Sequence, residues 1–120
     1  MSCEKFIGKL FLARDVAHSV HLSTRSFAKH SALGDFYGTI IGLADQFAEA
    51  YQGKHGLIGP ITRMTTPKSD NIVKFLESQV EDIEKTRYEV VERDCTPLQN
   101  LIDEILALYY STLYKLKFLA

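Results

Sequence analysis

The sequence predicts an all-α protein: a four-helix bundle with one long crossover between helices two and three. Three observations lead there. Apolar residues recur at three- and four-residue steps through four long segments, and no strand-like alternation competes with them. Brief polar breaks part the first segment from the second and the third from the fourth. The break in the middle, residues 54–68, is different: it is fifteen residues long and carries two Pro and two Gly. That is long for a helical hairpin loop. It fits a strand of chain travelling the length of a bundle, which would let the second and third helices run parallel.

The first helix is expected from residue 3 to about 24. Phe6, Leu10, Ala13, Ala17, Val20 and His21 form its apolar face, with Ile7, Phe11 and His18 on an adjacent stripe. Ser23, Thr24 and Ser26 weaken the helical signal, so a loop is expected from there to His30. Ser31 then suits the N-cap of a second helix running to Gln52, stopped by Gly53. On this helix Gly34, Gly38 and Gly42 repeat at four-residue steps, a small-residue stripe that suggests close approach of another backbone. After the connector, Ser69-Asp70 is expected to start the third helix, with Ile72, Val73, Leu76, Val80, Ile83 and Val90 turned inward. Asp94-Cys95 breaks it. Thr96-Pro97-Leu98-Gln99 reads as a capping box with Pro in the first turn, opening a fourth helix that runs almost to the end.

At 120 residues the chain suits one domain, residues 1–120, with one core. Its 14 Lys and Arg balance 15 Asp and Glu, with no basic tail or long charge run. Clustered cations are what draw a protein to phosphates, so DNA binding is not expected. Cys3 and Cys95 lack a CxxC spacing and read as free thiols of a reducing compartment. With no signal-peptide pattern and no apolar run long enough to span a bilayer, a cytoplasmic protein is expected.

The rest of the chain is organised around residues 18–49. Three of the four histidines, His18, His21 and His30, fall there, followed by Tyr37, Asp45 and Glu49. Asp45 and Glu49 are four apart and share one helical face. Imidazoles together with carboxylates on neighbouring helices make a plausible ligand set for a first-row transition metal, imidazole binding in its neutral form. The bland readings are a hydrogen-bonded boundary histidine for His18 and His21, a solvated loop residue for His30, and an exposed acidic face for Asp45 and Glu49. His55 reads as solvated and the tyrosines as packing residues. No Glu-x-x-His occurs, so an intrachain di-iron site is not expected, nor is structural zinc on the two distant cysteines.

These residues carry a family resemblance. From His30, Tyr37 follows at +7, Asp45 at +15 and Glu49 at +19, and Ala44-Asp45-Gln46-Phe47-Ala48-Glu49 contains an Asp-x-x-Ala-Glu phrase. The pattern resembles the Dps-type mini-ferritins of the ferritin-like superfamily, which carry a His-x-x-His-Trp element before it. His18 lies twelve residues before His30, the family's spacing, whereas His21 matches the second histidine of the element with a loop three residues shorter; both stay open. Leu22 stands where the family has Trp, and the Lys-rich tail some members use on DNA is absent.

The resemblance implies a ferritin-like bundle that binds iron. It implies that Fe²⁺ is oxidised by peroxide or oxygen, for iron storage or peroxide detoxification. His18 or His21, with His30, would come from one subunit, and Asp45 and Glu49 from a two-fold partner. It therefore implies a homo-oligomer, at least a dimer and up to a twelve-subunit cage. The competing expectation is a non-enzymatic helical interaction protein that keeps the fold without the metal chemistry.

Overall fold

The computed structural model describes residues 1–65 and 71–120. It contains four helices: α1 (Cys3–Ser23), α2 (Phe27–His55), α3 (Ile72–Val90) and α4 (Thr96–Phe118). The four-helix bundle is as the apolar periodicity predicts. α1 packs beside α2 and α3, α4 packs beside the same two, and the pairs α1/α4 and α2/α3 lie on the diagonals. None of the helices is long and apolar enough to cross a membrane.

Contacts along the helices set their directions. Phe36 near the start of α2 meets Tyr109 late in α4, and Lys54 at the end of α2 pairs with Glu92 just before α4. Lys9 on α1 pairs with Asp82 on α3, while Met1 reaches Glu89. Every adjacent pair is therefore antiparallel, and the diagonal α2 and α3 run parallel. The crossover makes this possible. The Gly59 N–H donates to Glu4 Oε2 at 2.8 Å, and Ile61, Thr62 and Met64 then lie beside Gly8, Phe11 and Leu12. The segment climbs α1 from its N-terminus before α3 turns back.

Gly8 takes the close backbone approach. A β-carbon there would lie 2.1 Å from the Thr62 carbonyl oxygen, which has no flexible side chain to give way. Gly8→Ala is expected to push the connector off α1 and to cost about 1–3 kcal/mol despite the better helix propensity of Ala. Faster amide exchange at residues 58–64 than in the parent protein is the check. Gly59 also gives the connector a pH dependence. Its N–H holds the Glu4 carboxyl below the ordinary carboxylate range. A lowered folded-state pKa contributes stability above the unfolded value and loses it as pH falls through the folded one. Acidification below about pH 4 should therefore release this tie, seen as loss of protection at the Gly59 amide.

Several helix ends differ from the sequence expectation. α2 begins at Phe27 rather than after Ser31, because the hydroxyls read as helix-weakening build the turn. Thr24 Oγ1 accepts from the Ser26 N–H at 3.3 Å, and the Ser26 hydroxyl caps the Lys29 N–H at 3.2 Å. Gly53 does not stop the helix; Gly56, at φ +94°, is its C-cap. α3 is capped by Asn71, and the expected start at Ser69-Asp70 lies outside the described residues. The Thr96 capping box is not made. Thr96 is already helical, Cys95 is the N-cap without a side-chain bond, and Gln99 is drawn inward instead.

Gln99 explains the tight turn between α3 and α4. Its Nε2 donates to the Val91 carbonyl at 3.0 Å, and its Oε1 accepts from Arg87 Nε at 2.8 Å. A second polar tie crosses the core: Tyr109 Oη donates to Gln79 Oε1 at 2.5 Å, and Gln79 Nε2 donates to the Lys9 carbonyl at 3.2 Å. Both Gln79 and Tyr109 are buried, and burial pushes the Tyr109 phenol far up, so it stays a neutral donor. Cys3 and Cys95 are free and buried, and desolvation raises the Cys3 thiol to about 11.

Candidate functional site

The histidine-rich stretch folds into an aromatic ladder on the outer face of α1 and α2. His21 and His30 are stacked with ring centroids 3.7 Å apart and planes inclined by 18°. Phe27 continues the column beyond His30 at 6.3 Å. On the other side Tyr37 meets His21 edge-on at 5.1 Å and stacks on His18 at 4.1 Å. His21 and His30 are both partly buried, while His18 is exposed.

Two reciprocal contacts hold the central pair. His21 Nδ1 lies 2.6 Å from the His30 carbonyl oxygen, and His30 Nδ1 lies 2.8 Å from the His21 carbonyl oxygen. A carbonyl only accepts, so each Nδ1 carries the proton and, in a neutral ring, each Nε2 keeps its lone pair. The local reason is the end of α1. The His21 carbonyl belongs to the last turn, where helical N–H partners run out. His30, one turn into α2, supplies the missing donor across the short loop. Gly34 leaves room for this: a β-carbon there would lie 3.0 Å from His21 Cε1.

The structure thus brings His21, rather than His18, to His30. The choice was open in the sequence, because it depends on how α1 and α2 pack. His18 sits one step further along, its ring 6.2 Å from that of His21. His30 is not a loop residue but lies in the first turns of α2.

Asp45 and Glu49 are exposed on the outer surface of the same helix, as their spacing predicts. They do not meet the histidines within the chain. Fifteen residues separate His30 from Asp45, about 22 Å of helix. Among the described residues no three His, Cys, Asp or Glu side chains of one chain gather as a ligand set. The paired rings also do not converge on one ion as they stand. Lone pairs lie in the ring planes, and two stacked rings with centroids 3.7 Å apart and planes inclined by only 18° do not direct both lone pairs to one point at a metal–nitrogen bond length of about 2.0–2.1 Å. Ligation of one ion by both would require one ring to turn off its carbonyl.

The glycine stripe has an outcome of its own. Gly38 and Gly42 are exposed, and a β-carbon at either would meet nothing within 4 Å, so no backbone of this chain approaches them. Residues 34, 38, 42, 45 and 49 follow steps of four, four, three and four and form one stripe on α2. Phe27, exposed and expected in a loop, extends it at the helix start. Sequence reasoning missed Phe27 because the start of α2 was set too late. His55, read as solvated, is exposed and lies 3.3 Å from Glu92, beside the Lys54–Glu92 pair that lowers the Glu92 carboxyl and raises the Lys54 ammonium.

The model of a protein family described as a family of unknown function, DUF5856, matches residues 21–116. The chain belongs to that family. The DUF5856 match begins at His21 and takes in His30, Tyr37, Asp45 and Glu49, leaving out His18. A protein of Enterobacteria phage T4, described as an uncharacterized 14.6 kDa protein in the mobD-ri intergenic region, is 27% identical over 116 residues, which is 94% of this chain and 86% of the phage protein. No solved structure matches the chain.

Proposed function

We propose that the protein is a Dps-like, ferritin-like iron-oxidising protein that works as a homo-oligomer, at least a dimer. Each site would combine His21 and His30 of one subunit with Asp45 and Glu49 of a two-fold partner, the two stacked rings holding separate irons of a pair, or one ring turning off its carbonyl where they share one. The carrying observation is the imidazole pair: both Nδ1 atoms are engaged by backbone carbonyls, so both Nε2 lone pairs are left for a ligand. Metal-ligating histidines are commonly held this way, the second ring nitrogen fixing tautomer and orientation.

The exposed stripe on α2 supports the two-fold arrangement. In an antiparallel α2–α2′ crossing centred on Gly38, positions equally far on either side face each other. Asp45 is then opposite position 31 and Glu49 opposite position 27, at the His30 end of the other subunit. The flat glycines permit close approach. Exposed Arg25 and Lys29 at one end complement exposed Asp45 and Glu49 at the other.

Fe²⁺ is the substrate: two Fe²⁺, one H₂O₂ and two protons give two Fe³⁺ and two water molecules. Anionic oxygen ligands favour the ferric product, while neutral imidazoles retain the ferrous substrate. Anaerobic Fe²⁺ titration followed by peroxide, with subunit mass measured in parallel, tests the reading. Saturable binding of about two irons per dimer, or up to about four for paired sites, with rapid oxidation is expected. Absence of binding would rule the reading out.

The interface has its own test. Gly38→Leu with Gly42→Leu should leave the monomer at least as stable, because the space is open and Gly costs about 1 kcal/mol in a helix interior. The same pair should shift the subunit mass to monomer and abolish iron oxidation. Unchanged mass would remove α2 from the interface.

A second reading, a non-enzymatic helical interaction protein, is favoured by one observation. The His30 ring completes the end of α1, and its plane does not converge with that of His21. It predicts a melting temperature indifferent to Fe²⁺ and chelator. Under the iron reading, added Fe²⁺ raises the melting temperature, since a ligand of the native state stabilises it.

A further inference from the structure

We infer that the groove between α3 and α4 docks a cationic amphipathic helix of a protein partner. The groove lies across the bundle from the α1/α2 face, so it stands or falls independently of the iron site. Its volume is about 430 Å³. Val80 and Leu113, both buried, form the floor. One wall is aromatic: Tyr110, Tyr114 and Phe118 follow at four-residue steps on α4 and are 50%, 55% and 73% exposed, more apolar surface than packing within the bundle uses. The other wall is acidic, with Glu77, Glu81 and Glu84 along α3.

The charges say what fits. Glu77 is paired with Lys117 at 2.6 Å, and Glu84 accepts from the Tyr110 hydroxyl. Glu81, between them, makes no hydrogen bond or ion pair among the described residues. Three carboxylates thus face one ammonium around an apolar floor. A second copy presenting the same groove, a nucleic acid and an anionic membrane surface would all be repelled. An Arg or Lys side chain laid between Glu81 and the Tyr114 ring would instead gain an ion pair and a cation–π contact.

Shape points to a helix. Both walls are helical side chains, so no free backbone edge is available for an added strand. From Tyr110 to Phe118 the groove follows eight residues of helix, about 12 Å, which matches anchors at i, i+4 and i+7 of one incoming helix.

The test uses the full chain, labelled with ¹⁵N, and a capped synthetic peptide of about 14 residues carrying Leu and Arg at i, i+4 and i+7. A twin with Glu in place of Arg is the control. Saturable shift changes confined to residues 77–84 and 110–118 are expected, absent with the twin. Glu81→Gln and Tyr114→Ala, both at exposed positions that keep the fold, should each weaken binding about tenfold. The inference is overturned by shifts elsewhere or none, by binding that survives both substitutions, or by concentration-dependent protection of the Tyr114 amide, which would mean copies of this chain cover the groove.

Discussion

Replacing Asp45 and Glu49 together with Ala is expected to abolish saturable Fe²⁺ binding and peroxide-driven oxidation while leaving the fold intact. Both carboxylates are exposed, and surface substitutions of this kind usually move stability by no more than about 0.5 kcal/mol. A melting temperature close to the parent's therefore accompanies the loss of activity. The complementary variant, His21→Asn with His30→Asn, removes the imidazoles but keeps an amide N–H near each Nδ1, so the carbonyls at the α1/α2 loop keep a donor.

Mixing the two inactive variants then separates a shared site from an intrachain one. A mixed dimer contains one site with both histidines and both carboxylates intact, and one site with neither. Random exchange makes half the dimers mixed, each with one good site of two, so about a quarter of the parent binding returns. No recovery on mixing, with each variant alone still folded and dimeric, would refute a site shared across the two-fold. Full activity in the Asp45/Glu49 variant alone would remove those carboxylates from the chemistry.

The second large effect concerns stability. Tyr109→Ala is expected to destabilise the bundle by about 3–5 kcal/mol, lowering the melting temperature by roughly 10–20 °C. The ring is fully buried, meets Phe36 edge-to-face at 5.1 Å, and carries the only hydroxyl in the tie to Gln79. Its loss opens a cavity where α2, α3 and α4 meet and also leaves Gln79 Oε1 without its donor. Tyr109→Phe isolates the second part: packing is kept, and about 1–2 kcal/mol is lost because a buried acceptor is orphaned. Adding Gln79→Leu removes that acceptor, so the double variant should be more stable than the sum of the two single losses. Strict additivity in denaturant melts would show that the two side chains do not act as a pair.

Much of this architecture was legible in the chain. Four apolar stripes of helical period mark four helices, and the Pro- and Gly-bearing segment marks the crossover, because both signals are local and repeat over many residues. The placing of Asp45 and Glu49 on one exposed helical face was legible for the same reason. Helix ends were less so. Ser26 and Ser31 are both good caps in isolation, and the choice fell to Ser26 because Thr24 and Ser26 close the turn together. The glycines divide in the same way: Gly8, unremarked in the sequence, takes the close backbone approach within the chain, whereas no backbone of this chain reaches Gly38 and Gly42.

By itself, then, the sequence determined the helix count, a connector long enough to let α2 and α3 run parallel, and the ladder of spacings from His30 to Glu49. Those follow from a period of about 3.6 residues and the reach of a connector. Only the tertiary structure decided that His21 rather than His18 stacks on His30, that the two rings stand nearly parallel, and that Gln79 and Tyr109 meet in the core. It also decided that Glu81 and Tyr114 line one groove. These are contacts between helices, fixed by the register at which their buried faces interlock, and no periodicity within a single helix encodes that register.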